Sequence, residues 1–143
     1  NCGSNQLTSL NVSNNNTLTN LYCGVNQLTS LDVSVNSALI DLQCSQNQLT
    51  SLDVSNNTAL TTLYCSYNQL TNLNVSANTA LTTLYCPSNQ LTGLDVRNGN
   101  NTSIGNLDFQ ASNKPNLYCI NVDNVAWSTA HWSLIDSQSY FCV

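Results

Sequence analysis

The sequence predicts a β-rich solenoid, in which one coil motif winds along a single axis with two short parallel strands per turn and a cap at the C-terminal end. Three observations predict it. Five cysteines, Cys2, Cys23, Cys44, Cys65 and Cys86, recur every 21 residues. The surrounding residues repeat in step, as LYCGVNQLTSLDVSVNSAL, LQCSQNQLTSLDVSNNTAL, LYCSYNQLTNLNVSANTAL and LYCPSNQLTGLDVRNGNNT. Within one unit two apolar–x–apolar triplets are each followed by Asn three residues on, Leu42-Gln43-Cys44 before Asn47 and Leu52-Asp53-Val54 before Asn57. Alternation by two is the period of a strand. A fixed period of about 20 to 30 residues marks units that bury their apolar faces against one another.

The first coil is truncated: the chain begins at Asn1-Cys2, without the LxxLx that precedes each later cysteine, and reads as part of a larger polypeptide. In the coils that follow, Leu42, Leu63 and Leu84 are expected to stack, as are Leu52, Leu73 and Leu94, each buried leucine being worth about 1.5–3 kcal/mol. Asn5, Asn26, Asn47, Asn68 and Asn89 should form an interior row, because an asparagine amide satisfies the backbone of a bend and tolerates left-handed conformations. After Val96 the period slips through a two-residue insertion within 97–103. A shift of 23 then puts Ile104, Leu107 and Phe109 in the places of Leu81, Leu84 and Cys86, and Leu117 and Cys119 in those of Leu94 and Val96. The solenoid thus occupies residues 1–121 in about six coils. Residues 122–143 leave the pattern and form the cap. Asp123 is placed to N-cap a short helical turn. Val125, Trp127, His131, Trp132, Leu134 and Ile135 cover the last coil, whose open end would otherwise invite aggregation.

The unit LxxLxCxxNQLTxLDVSxNxA resembles the leucine-rich repeat, LxxLxLxxN/CxL, with Cys in the third apolar slot. More narrowly it is similar to the 21-residue bacterial class called IRREKO, and the resemblance covers residues 1 to about 119. The stretch Lys114-Pro115-Asn116-Leu117-Tyr118-Cys119-Ile120-Asn121-Val122-Asp123 resembles, loosely, the NPNLxCIxVDD of C-terminal caps on secreted Bacteroidota proteins, with Asn121 and Asn124 as departures. The resemblance implies a secreted or cell-surface bacterial protein whose cysteine-bearing sheet carries the ligand face.

Charged residues make up 6% of the chain, Arg97 and Lys114 are its only cations, and it contains no Glu. That argues against a nucleic-acid partner, since phosphates would go unneutralised. No apolar run approaches the about 18 residues of a membrane span. The five periodic cysteines share one interior slot and read as small buried hydrophobes. Their Cα atoms should lie about 4.8 Å apart, but parallel side chains do not bring Cβ atoms to the about 3.8 Å of a disulfide. Nor does a linear stack provide the converging shell of a zinc site. Cys119 and Cys142 fall outside the period and are either bridged or free.

No cofactor or metal is expected. Asn11, Asp32, Asp53, Asn74 and Asp95 share one outward position, but calcium needs about six to eight oxygens, so the row reads as solvent-facing. Tyr22, Gln43, Tyr64, Tyr85 and Asp108 share the other outward position, with Tyr67 one bend away. Tyrosine offers a flat apolar face and a hydroxyl to a protein or a sugar, although it also simply suits strands. With the only His in the cap and no Glu, catalysis has little to stand on. The reading is a non-catalytic module that recognises a protein or polysaccharide through Tyr22, Gln43, Tyr64, Tyr67 and Tyr85. The alternative is a structural spacer or accessory domain of a larger enzyme or adhesin, with no ligand of its own. A third reading, ice binding by Thr8, Thr29, Thr50, Thr71 and Thr92, is weakened by their position after the bend.

Overall fold

The computed structural model describes residues 1–143. The coils stack as expected. β1 (Asn20–Tyr22), β2 (Asp41–Gln43), β3 (Thr62–Tyr64), β5 (Thr83–Tyr85) and β7 (Phe109–Gln110) form one parallel sheet in strict register. The middle residue of each three-residue strand faces the core: Leu21, Leu42, Leu63 and Leu84 are buried. The second sheet is shorter than two strands per coil would give. It contains β4 (Asn72–Asn74), β6 (Gly93–Asp95), β8 (Cys119–Asn121) and β9 (Tyr140–Cys142). The matching segments of the first three coils, around Leu10, Leu31 and Leu52, make no ladder bonds. The coils fan apart there, and open grooves of up to about 340 Å³ run between them.

The bends are held by asparagine. Asn47 Nδ2 donates to Cys44 O (3.0 Å) in its own coil and to Cys23 O (3.1 Å) in the coil before. Its Oδ1 accepts from Leu28 N, 3.0 Å away in that same preceding coil. Asn26, Asn68 and Asn89 repeat the pattern, while Asn5 in the first coil is exposed and bonds locally to Cys2 O and Gly3 O. The left-handed residue is not the asparagine, as expected, but the one before it: Ser4, Val25, Gln46, Tyr67 and Ser88 have φ of 57°, 57°, 56°, 53° and 55°. A second row, Asn36, Asn57 and Asn78, is fully buried and stitches the opposite side. Asn57 Nδ2, for instance, donates to Val33 O (3.0 Å) and Asn36 O (2.9 Å).

Cys23, Cys44, Cys65 and Cys86 are free thiols with no exposed surface, and Cys2 is half-buried. Burial is the largest cause of the raised pKa values of Cys23, Cys44, Cys65 and Cys86, and it pushes the Cys23 thiol up to about 12.

The last coil departs from the expected 23-residue shift. Ile104 N bonds Asn101 O as Leu81 N bonds Asn78 O, which keeps that shift for Ile104. A 3-10 turn over Asn106–Asp108 then adds residues, so Phe109 pairs with Leu84 and not with Cys86. Leu107 is 69% exposed instead of replacing Leu84. Ile120, not Leu117, pairs with Leu94, and Cys119 does not take the place of Val96. Lys114 follows the left-handed Asn113 (φ 58°) as Asn89 follows Ser88, and so fills an asparagine slot, fully buried.

Residues 122–143 do more than cover the end. They add a rung to each sheet, through β9 beside β8 and a bridge between Ala111 and Ile135. Helix α1 (Val125–His131) is capped by Asn124, whose side chain accepts from Trp127 N (3.0 Å). Asp123, the cap expected from sequence, instead accepts from Gly99 N at 2.9 Å. Trp132 seals the core: its ring stacks on Phe109 (4.0 Å, 11°), and its Nε1 donates to Ile104 O (3.0 Å). Cys119 and Cys142 are joined as a disulfide across β8 and β9, with Cα atoms 5.8 Å apart.

Removing the Asn47 amide leaves buried backbone groups in two coils unpaired, so Asn47→Ala is expected to destabilise the protein by about 1–3 kcal/mol. Asn5→Ala, at the exposed first bend, should stay within about 0.5 kcal/mol of the parent. Urea unfolding followed by circular dichroism measures both.

Candidate ligand-binding face

The outward positions of the first sheet hold Tyr22, Gln43, Tyr64, Tyr85 and Gln110, since Tyr85 pairs with Gln110 and not with Asp108. Parallel pairing in register puts like residues side by side, and Tyr64 and Tyr85 stack with ring centroids 4.7 Å apart and planes at 21°. Their hydroxyls are treated differently. Tyr85 Oη donates to Leu107 O at 2.5 Å, anchoring that ring to the inserted turn. Tyr64 Oη makes no hydrogen bond; burial, followed by Tyr85, Asp41 and Asp108, raises its pKa, so it remains a neutral donor.

At the other end, Tyr22 Oη donates to Asp41 Oδ2 (2.9 Å), and Gln43 Nε2 lies against both Asp41 oxygens (3.3 Å each). These bonds draw Tyr22 and Gln43 toward the strand starts. On the opposite flank an open groove of about 410 Å³ remains, lined by Tyr22, Gly24, Gln43, Ser45 and Tyr64. Gly24 lies close against the next coil, where a Cβ would meet Ser45 O at 3.0 Å. Tyr67 stands apart at the bend, 59% exposed, and makes no ring contact with Tyr64 or Tyr85.

The face carries carboxylates but no cation. Asp41 and Asp108 flank the tyrosines, Arg97 is bound to Asp95 on the other sheet (2.6 Å), and Lys114 is buried. A ligand bearing phosphate, sulfate or carboxylate groups would find no side-chain cation to neutralise it here.

The second outward row has a structural task. Asn11, Asp32, Asp53, Asn74 and Asp95 each accept, through Oδ1, the backbone N–H two residues on, at 2.9–3.1 Å. Hydrogen bonds to Ser34 and Ser55 hold the Asp32 and Asp53 carboxyls below the usual range, and the Arg97 side chain does so for Asp95. No three His, Cys, Asp or Glu side chains converge as a metal cluster. Thr8, Thr29, Thr50, Thr71 and Thr92 form one exposed file, alongside Ser9, Ser30, Ser51, Asn72 and Gly93.

No protein-family model matches the chain. No curated protein matches it either. Among solved structures, the functional domain of InlJ from Listeria monocytogenes, described as including a cysteine ladder, is similar over 81% of this chain, at 34% identity and a TM-score of 0.65. The chain spans 27% of the length of that domain. The shared architecture is the leucine-rich-repeat solenoid, with short parallel strands in repeated register.

A carboxylate whose folded pKa lies below its unfolded value contributes stability above about pH 4, and that contribution is lost as pH falls through the folded pKa. The melting temperature should therefore hold from pH 7 to about 5 and drop below about 4. Because Asn11 and Asn74 make the same turn bond uncharged, Asp53→Asn should leave the neutral-pH melting temperature unchanged and reduce the acid drop. A pH series of thermal melts checks this.

Proposed function

We propose that the protein is a non-catalytic binding module of a secreted or cell-surface bacterial protein, recognising an uncharged or basic ligand, protein or polysaccharide, through its tyrosine-bearing sheet. One observation carries the reading. The Tyr64–Tyr85 pair and the neighbouring groove form a rigid, partly apolar surface with a free hydroxyl, on a sheet whose backbone bonds are otherwise satisfied. Planar aromatic side chains of this kind have little rotamer freedom to lose on binding, and they dominate interface energetics.

The similarity to the InlJ domain supports the reading at the level of a repeat scaffold that serves recognition. The charge pattern supports its finer part, because the sheet offers acceptors and hydroxyls but no ammonium or guanidinium. Tyr67, displaced from the pair, is assigned to the rim of the surface.

Glycan and protein arrays probed with the purified chain should give hits among neutral or basic ligands. Tyr64→Ala with Tyr85→Ala should weaken any such hit by about a hundredfold or more, the loss of two aromatic anchors, while far-UV circular dichroism and the melt stay near those of the parent. Binding retained by the double variant would move the site off this sheet. No hit on either array would favour the spacer.

A further inference from the structure

Lys114 is fully buried and has no carboxylate partner; the one ion pair in the protein joins Arg97 to Asp95. Its Nζ donates to Ser112 O (3.2 Å), two residues on from the Gln110 O to which the Cys86 thiol donates (3.5 Å), and its charge opposes the effect of burial on that thiol. Its charge also reaches Cys65, one coil further in. An ammonium taken out of water normally stands opposite an anion. Here it stands at the end of a row of neutral thiols.

The row has a particular spacing. Cys65 and Cys86 follow directly on β3 and β5, which pair in register, so their side chains project from adjacent rungs about 4.8 Å apart. Two metal–thiolate bonds of about 2.3 Å laid end to end span about 4.6 Å. Stacked thiols cannot surround a tetrahedral ion, but they present the two opposed sulfurs that a soft d10 monovalent ion takes in linear coordination.

We propose that Cys65 and Cys86, together with Lys114, form a two-coordinate site for a soft monovalent metal ion of the copper(I) or silver(I) class. On binding, two S–H bonds break, two S–metal bonds form and two protons leave to solvent, with no change of oxidation state. The product is a bis-thiolate of charge −1, and the Lys114 ammonium neutralises it inside the core. Cys23 and Cys44 share the spacing but lack the cation, so a monovalent ion there would leave a buried net charge. A divalent mercury ion makes a neutral bis-thiolate and gains nothing from Lys114.

Silver(I) nitrate in chloride-free buffer, without reductant so that Cys119–Cys142 stays paired, is the probe. Cys2→Ser provides the background, because Cys2 is the one free thiol not fully buried. After overnight loading and desalting, one silver per chain is expected, with two sulfur neighbours by X-ray absorption. Cys86→Ala and Cys65→Ala should lose it, and Cys23→Ala should keep it. Lys114→Met, of similar length, should weaken silver by about a hundredfold or more while changing mercury(II) by less than about tenfold, each variant's fold being checked by circular dichroism. No retained silver, two ions per chain, oxygen or nitrogen neighbours, or unchanged silver affinity in Cys86→Ala or Lys114→Met would each overturn the site.

Discussion

A buried asparagine amide at each bend is the constraint on which the rest of the molecule depends. A coil of 21 residues must turn sharply after its first strand, and the turn here uses a left-handed residue that is never glycine: Ser4, Val25, Gln46, Tyr67 and Ser88. Backbone of that kind is unfavourable by about 1–3 kcal/mol per site. The adjoining asparagine offsets it by bonding to its own coil and to the one before, so that curvature and stacking come from one side chain. Because the amide fixes the bend, the left-handed side chain points to solvent and is free to vary. That freedom lets a residue as large as Tyr67 sit there without disturbing the core.

The same division of labour separates the two outward rows. On the opposite side of the first five coils the outward Asn or Asp is occupied with the backbone N–H two positions on, which Asp and Asn both satisfy. On the first sheet the strand hydrogen bonds run between coils and need nothing from the outward side chains. Those positions can therefore carry an aromatic pair at one end and a Tyr–Asp–Gln network at the other. With both cations committed elsewhere, Asp41 and Asp108 give the face its negative potential.

Much of this was legible in the sequence. The cysteine period gives the register, the buried face and the tyrosine ladder as far as Tyr85, because identical units in parallel stacks must place identical residues side by side. It lost the last coil for a physical reason. The extra residues are spread over several turns, and Leu107, apolar and at a plausible spacing, lies on an exposed 3-10 turn while Phe109 takes the core position. Asp108 accordingly does not take the outward position beside Tyr85, which Gln110 holds. Lys114 could not be found by type, since a lysine in an asparagine slot follows no pattern; only the preceding left-handed Asn113 marks it. The missing strands of the first three coils left no trace either, because LDV and LNV triplets read alike whether or not the coils fan apart.

That fanning has a mechanical meaning. In the C-terminal part both sides of each coil are laced to the next, whereas from Leu10 to Leu52 one side is laced and the other is held by side chains alone. A stack fastened along one edge flexes about that edge like a book about its spine, and one fastened along two edges does not. The molecule is therefore a rod of graded stiffness, pliant between the unlaced segments around Leu10, Leu31 and Leu52 and rigid toward Trp132. Small changes in the angle between coils would open or close the grooves on that unlaced side, while the laced sheet that carries Tyr22, Gln43 and Tyr64 keeps its register.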